Sequence, residues 1–473
     1  MAKTHNLGNI AKAKGLEPED AAALSELVKV YAKHRKRNVR LTRYYDGKVR
    51  AGDVNIGIAV PEELANLEVS CNWPAKVVEA LQARSQFDAF WSSLGEIKTE
   101  LDAICEENDL PMRYGKAVIP ELKHGCVFAT LSMNDFERAS IKFHTAQSSA
   151  ARWDGEHDRL LDGFAIIDSA KFNMDRSYKP SLVNMYTSEA IITLRRRNAL
   201  DWSAEYHPHK MGRPLMAAMV YRGTDEKPFG KSRINNAVMH LTDAYLREML
   251  RLEVAAEMFT SPQKVLIGAD DAITDELAGN FKAYITNLLT ISRGENSELP
   301  TLEQLAASSM QPHIEVMRAL AANLSGCSDV PLSELGIVAD NPSSAEAIYA
   351  AKESLVIEAD SLNKSNGKAL KELVLMAYAM NEDISWREIP SDYRAVTPHF
   401  VSPAMPSVVS QADAMVKIAT VDDGFAGTSA FYAQVGFDDA LIQQIAAEKQ
   451  GRIGDTVLSQ LLERVSANGG SVA

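Results

Sequence analysis

One stretch constrains this chain more than any other: Ser232 to Phe259, SRINNAVMHLTDAYLREMLRLEVAAEMF, which holds neither Gly nor Pro. Gly230 precedes it and Pro262 follows it, so it is bounded at both ends. Ser232 fits an N-cap and Thr260-Ser261-Pro262 a stop. Ile234, Val238, Leu241, Tyr245, Met249, Leu252, Ala256 and Phe259 recur at three and four, which is one face of a helix. Met239, Leu246, Leu250 and Val254 put apolar surface on other faces, as expected of a helix packed between several neighbours. Its 28 residues would span about 42 Å. That length suits a strut better than the wall of a small pocket.

The rest of the chain must supply those neighbours, and 473 residues are enough for several cores. A net charge of −13 argues against a simple nucleic-acid binder, which needs surplus Lys and Arg. Cys71, Cys105, Cys126 and Cys327 are scattered with no CxxC pair, the pattern of reduced thiols without a zinc site. The N-terminal residues lack the apolar core of a signal peptide. The longest fully apolar run, Leu373 to Met380, is 8 residues, so no membrane span is expected.

Upstream, residues 16–45 read as a helix with an acidic first turn at Glu19 and Asp20. The run Lys33-His34-Arg35-Lys36-Arg37 reads as its solvated C-terminal turn, with DNA contact as the alternative. Tyr44 to Lys48 reads as a turn. Residues 72–91 read as a second amphipathic helix opened by Pro74, and 94–108 as a third. From about 124 to 195 short, partly β-branched segments (HGCVFATLSM, ASIKFHTA, GFAIID, LVNMYTS, AIITLRR) predict an antiparallel meander. Residues 200–230 read as irregular, and the lone His207-Pro208-His209 is too little for a metal site. Downstream, 263–268 predicts a strand, 274–289 a short helix and 292–300 a loop. Pro312 to Asn323 reads as a helix, and 325–344 as a long Ser/Gly/Pro/Asp-rich loop of the kind usually functional. Ala345 to Met380 reads as a very long helix with a kink near Gly367. Residues 386–408 read as a Pro-rich linker before a helical end. The fold class is therefore α+β, mainly α-helical.

No catalytic motif stands out. GTDEKPFGKS, residues 223–232, looks like a phosphate loop, but six residues separate Gly223 from Gly230 and Pro228 removes a donor. There is no nucleophile elbow, zinc helix or paired carboxylate. Acidic residues such as Glu248, beside Arg251, follow the spacing of a solvated helix face. No cofactor and no enzymatic activity are expected.

Taken together and in order, Tyr45-x-Gly47, NWPAKVVEALQAR (72–84), PFGKSRINNAVMHLTDAYLREMLRLEVAAEMFTSPQKVLIGAD (228–270) and HIEVMRALAANLSGCSDVPLSELGIVADNPSSAEAIYAAKESLVIEAD (313–360) resemble the portal proteins of long-tailed double-stranded DNA bacteriophages, in the actinobacteriophage-like branch. The resemblance covers about residues 40–400. It implies a portal fold and a homo-oligomeric ring, usually of twelve, at one capsid vertex of a virion assembled in the host cytoplasm. Such a ring passes double-stranded DNA without sequence specificity during packaging and ejection. It also docks the terminase large subunit and a head-tail adaptor, beside major capsid and scaffolding proteins.

By that resemblance residues 1–231 would be the wing and 232–259 the first stem helix. Residues 260–311 would be the clip, with Asp270, Asp271, Asp275, Glu276, Arg293 and Glu295 as docking candidates. Residues 312–324 would be the second stem helix. Residues 325–344 would be the tunnel loop, with Asp329, Ser333, Glu334, Asp340, Asn341 and Ser343 facing the channel. Residues 345–400 would be a wing helix and linker, and 401–473 the crown. The loop has no Lys or Arg, so it should repel phosphate rather than hold it. Two other readings remain open at this point: a DNA-packaging enzyme, and a helical scaffolding or adaptor protein.

Overall fold

The computed structural model describes residues 7–49, 70–171, 178–197, 201–260, 264–269, 288–292, 301–304, 309–337, 345–404 and parts of 415–449. The chain divides into two units, Met1–Pro403 and Ala404–Ala473, with the boundary inside the Pro-rich stretch. In the second unit the described residues form short helical pieces, where Phe425 packs edge-on against Phe431 at 5.8 Å.

The first unit begins with α1 (Pro18–Tyr45), α2 (Trp73–Gln82), β1 (Phe87–Trp91), α3 (Gly95–Glu107) and α4 (Leu110–His124). Then come β2 (Cys126–Met133), β3 (Ala139–Thr145), β4 (Ser149–Asp154), β5 (Arg159–Lys171), β6 (Tyr178–Tyr186), β7 (Ala190–Arg196), β8 (Trp202–Pro208) and β9 (Met216–Val220). They are followed by α5 (Asn236–Thr260), β10 (Lys264–Ala269), β11 (Leu288–Ser292), β12 (Thr301–Gln304), α6 (Gln311–Ser328), α7 (Ala345–Asn381), a one-turn α8 (Ser391–Arg394) and β13 (Thr397–Phe400). The chain is thus α+β and mainly helical.

The expected meander is real but splits in two. Strands β4-β5-β6-β7-β8 form one antiparallel sheet, and β3-β2-β9 a second with β2 in its centre. Residues 200–230 are not wholly irregular: β8 and β9 lie there, each completing a sheet begun earlier in the chain. The five-stranded sheet buries Phe164, Val183, Met185, Ile192 and Leu194 against Leu24, Leu27 and Tyr31 of α1.

The main core is built around α7. Leu355, Ala359, Leu362, Leu370, Val374, Met376 and Ala377 are buried among α2, α3, α4 and the three-stranded sheet. This helix, rather than α5, is the buried axis of the unit. Gly367 gives α7 room to approach β13, because a Cβ there would lie 2.9 Å from Pro398 Cγ. Inside the core Asn366 Nδ2 donates to Glu121 Oε2 (2.8 Å) and to Tyr114 Oη (3.1 Å). Burial pushes the Glu121 carboxyl up to about 8, against the pull of Asn366. Cys71, Cys105 and Cys126 are buried and their thiols pushed up to about 12 by burial, whereas Cys327 is exposed.

Several local expectations need correction. Residues 72–91 are not one helix: α2 stops at Gln82, and Phe87–Trp91 is a strand that pairs antiparallel with β13, Phe87 opposite Phe400 and Trp91 opposite Thr397. The same pairing makes the tail of the first unit an ordered element rather than a linker. The Lys33–Arg37 run is not a final helical turn, because α1 continues to Tyr45. Favourable interaction with the helix dipole is confined to the last turn, so it does not account for that run. At the chain turn after α1, Gly47 adopts φ +62°, as the expected turn requires.

Candidate functional site

The paired helices α5 and α6 and what joins them form the candidate site. Helix α5 starts four residues later than expected, at Asn236. Its cap is Asn235, whose Oδ1 accepts the Val238 N–H at 3.0 Å. Ser232 instead spans the entry, donating to the Lys123 carbonyl (2.6 Å) and accepting the Ile234 N–H (3.0 Å). The glycine ahead of it does not cradle phosphate. Gly230 has φ +65°, and a Cβ there would run into the Tyr221 carbonyl and lie 3.0 Å from the Gly125 carbonyl. The neighbouring backbone already fills the space a ligand would need.

Helix α6 lies along α5 and buries Ala321, Leu324 and Ser328. Its outer face leaves Ile314 and Val316 exposed. Between the helices Glu248 is buried, not solvated as its spacing suggested: His313 Nδ1 lies 2.6 Å from its Oε1 and Arg251 Nη1 3.1 Å from its Oε2. A buried carboxylate held by two partners is compatible with the low dielectric there, where an unpaired one would not be. From the other side Trp73 of α2 packs on Tyr245 of α5 with ring centroids 4.0 Å apart. Tyr44 of α1 donates to Asp243 at 2.9 Å.

One guanidinium clasps the open end of this pair. Arg233, 5% exposed, donates from Nε to the Val77 carbonyl (2.6 Å) and from Nη2 to the Ser328 carbonyl (2.7 Å). Its Nη1 donates to Tyr221 Oη (3.1 Å) and pairs with Glu358 of α7. Arg222 reaches the same carboxylate from the surface at 2.6 Å. Burial alone would lower the Arg233 pKa, but Tyr221 and Glu358 outweigh it and raise it. The entry of α5, the exit of α6, α2 and α7 therefore meet at one side chain.

Beyond the clasp, helix α6 runs through Ser328, five residues past the expected Asn323, so the following loop starts at Asp329 rather than at 325. Asp329 ends the helix with φ 56°, Val330 is buried, and Leu332–Leu335 makes a single 3-10 turn closed by Gly336 at φ 86°. Ser333 is exposed. Glu334 is not left free: Arg84, just past the end of α2, lies 3.5 Å from its carboxylate. Asp340, Asn341 and Ser343 lie outside the described residues, and so do Asp270, Asp271, Asp275, Glu276, Arg293 and Glu295 and most of the helix expected over 274–289; its last two residues, Leu288 and Leu289, open strand β11 instead. Between α5 and α6 a three-stranded sheet is described, with β10 central, parallel to β11 and antiparallel to β12. Its first strand fulfils the expectation at 263–268.

Sequence reasoning missed the clasp. Arg233, Tyr221 and Glu358 carry no local signal, since their partners lie 12 to 156 residues away in the chain.

A family model described as phage portal protein, SPP1 Gp6-like, matches residues 24–455. The portal protein of Mycobacterium phage L5 is 24% identical over 421 residues, covering 85% of this chain and 83% of that protein. The portal protein of Mycobacterium phage D29 is 22% identical over 419 residues, covering 85% and 82%. Among solved structures, a chain of the neck of a native GTA particle computed with C12 symmetry is similar with a TM-score of 0.38 and 11% identity, over 77% of this chain and 89% of that one. With a family model matched over most of its length, this chain belongs to the phage portal protein family.

Proposed function

We propose that this chain assembles into a closed homo-oligomeric ring, of about twelve copies as the family resemblance implies, at a single capsid vertex of a phage particle. The ring serves as the conduit for double-stranded DNA during packaging and ejection, and the chain turns over no substrate. The observation that carries this reading is the α5–α6 pair, clasped by Arg233 at one end and carrying the β10–β12 sheet at the other. Two struts, the second with Ile314 and Val316 exposed on its outer face, and a small sheet at their far end suit a subunit flanked by copies of itself.

In this reading residues 260–311 dock the terminase large subunit and later a head-tail adaptor. Asp270, Asp271, Asp275, Glu276, Arg293 and Glu295 are the docking candidates. The segment 329–344 faces the channel, with Asp329, Ser333, Glu334, Asp340, Asn341 and Ser343 beside the DNA. The lack of Lys and Arg there lets the polyanion slide, since attraction grows with each phosphate neutralised. Residues up to 231 form the wing, which meets the major capsid and scaffolding proteins, and the end from 401 forms the crown. Assembly takes place in the host cytoplasm.

Electron-microscope projections of the purified assembly test this directly. A closed ring with a central opening and no nucleotide turnover is expected. A chain that stays a monomer in capsid-assembling cells, or that hydrolyses ATP by itself, would overturn the proposal.

A further inference from the structure

The Lys33–Arg37 run is left without a purpose by the helix dipole, and its surroundings supply one. Along α1, Lys33, Arg37 and Arg40 share a face with Lys36 beside them. Lys227 and Lys231 oppose them across two adjoining cavities of about 530 and 500 Å³. All six cations are exposed, and among the described residues none of them enters an ion pair. Glu226 is the one carboxylate lining the larger cavity among the described residues. The floor of that cavity is apolar, with Val30, Phe128 and Phe229. Nearby His124 is held neutral by burial and by Lys123 and Arg37. Six unpaired cations on a chain of net charge −13 call for an anionic partner.

The complementary shape lies at the opposite end of the same strand. The β2–β3 hairpin ends in Asp135-Phe136-Glu137, and Phe136 is 86% exposed, far more than an isolated apolar ring prefers. Asn134 Oδ1 fixes the tip by accepting the N–H groups of Phe136 and Arg138, each at 2.9 Å. Arg138 is the single cation at the tip. Behind the tip, Asn108 bonds the Ala139 carbonyl (3.1 Å) and the Ile141 N–H (2.8 Å) at the start of β3, and its chain neighbours Glu106, Glu107 and Asp109 are exposed. Strand β2 rises about 24 Å between the cavity end at Cys126 and the hairpin end at Met133.

We propose that the Asp135-Phe136-Glu137 tip of one copy seats in the cation-rimmed cavity of the next, Phe136 on the apolar floor and its two flanking carboxylates on the lysines and arginines. This rests on the ring reading above and names a contact within the ring. Knob and hole lie at opposite ends of β2, so no copy fills its own hole. The contact is heterologous, and it closes a ring where the rotation from copy to copy is a whole fraction of a turn. A cavity of about 530 Å³ falls within the usual range for an enclosed ligand and takes a phenyl ring.

The test pairs Phe136→Cys with Lys227→Cys on a Cys327→Ser background, read against sedimentation of the wild-type chain from capsid-assembling cells. Under mild oxidation the pair gives a ladder of covalent multimers that neither single variant gives. In addition, Asp135→Lys with Glu137→Lys weakens subunit association by about tenfold. Adding Arg37→Glu and Lys231→Glu restores much of it. If the wild type forms rings but the ladder is absent and charge reversal changes nothing, the contact is wrong while the ring stands. If the wild type never rings, the ring reading itself falls. If a DNA duplex binds the groove and Lys231→Glu abolishes that binding without altering rings, the groove belongs to phosphate and the proposal is overturned.

Discussion

Exchanging Glu358 for Gln tests the clasp with the least change in shape. The amide keeps an oxygen to accept from Tyr221 Oη and removes the only carboxylate that Arg233 meets among the described residues. Arg233 then remains buried, still donating to the Val77 and Ser328 carbonyls but with no counter-charge. Removing one partner of a buried pair costs about 3–5 kcal/mol, against about 0–1 kcal/mol for an exposed pair. The first unit has 403 residues, which gives an unfolding entropy of about 0.8 kcal/mol/K. Glu358→Gln should therefore lower the melting temperature of that unit by about 4–6 °C.

Thermal unfolding followed by near-ultraviolet circular dichroism reads this, at low and high salt. Because the pair is buried, the loss should persist at high salt, where surface pairs are screened away. Arg233→Lys should be nearly as harmful, because an ammonium lacks the planar fork that reaches Val77, Ser328, Tyr221 and Glu358 together. A loss under about 1 kcal/mol, or one that vanishes with salt, would refute the idea that this guanidinium organises the end of the helix pair.

Glu121→Gln should flatten the pH dependence of stability. The folded protein holds this carboxyl up to about 8, above its ordinary value, so folding favours the protonated form. Its contribution is full below the ordinary value of 4.5 and is lost as pH rises through about 8, amounting to a few kcal/mol at most; denaturant titrations from pH 5 to 8 would show an unchanged slope if the assignment is wrong. His124 acts in the opposite sense: burial lowers it to about 3, so its contribution is present above pH 6.5 and lost towards pH 3, a loss that His124→Gln should remove in acid unfolding. Reversing Glu334 to Lys should slow DNA passage, but it also breaks the contact with Arg84, so Glu334→Gln is the control; equal packaging and ejection rates in all three proteins would count against a channel role. Deleting residues 292–299 should weaken motor docking in a pull-down while leaving ring size unchanged, and the reverse outcome would show that the segment map is misdrawn.

What was legible in the sequence was what short-range periodicity encodes. Helices α1, α3, α5 and α7 and strands β2, β3, β5, β6 and β7 all lie where apolar spacing put them. Helix α4 was not seen: Pro111 and Pro120 interrupt its local pattern, and its buried face of Tyr114, Val118 and Leu122 is set by tertiary packing. Strand β1 looked helical because its partner β13 lies some three hundred residues on, and pairing rather than local pattern makes it a strand. The buried roles of Glu248 and Arg233 were hidden for the same reason: spacing beside an opposite charge looks identical whether a helix face is wet or covered. The candidate site was thus visible as two rods and a loop, but not as rods locked by a guanidinium.

The distribution of thiols has a practical consequence. Three of the four cysteines are sealed in the interior, and the fourth, Cys327, sits two residues before Asp329, where α6 gives way to the following segment. A maleimide dye should therefore attach at one place per subunit without mutagenesis. Repeated around an assembled particle, such labels would form a circle of reporters at the foot of that segment. Their mutual energy transfer would follow its diameter while a genome moves past.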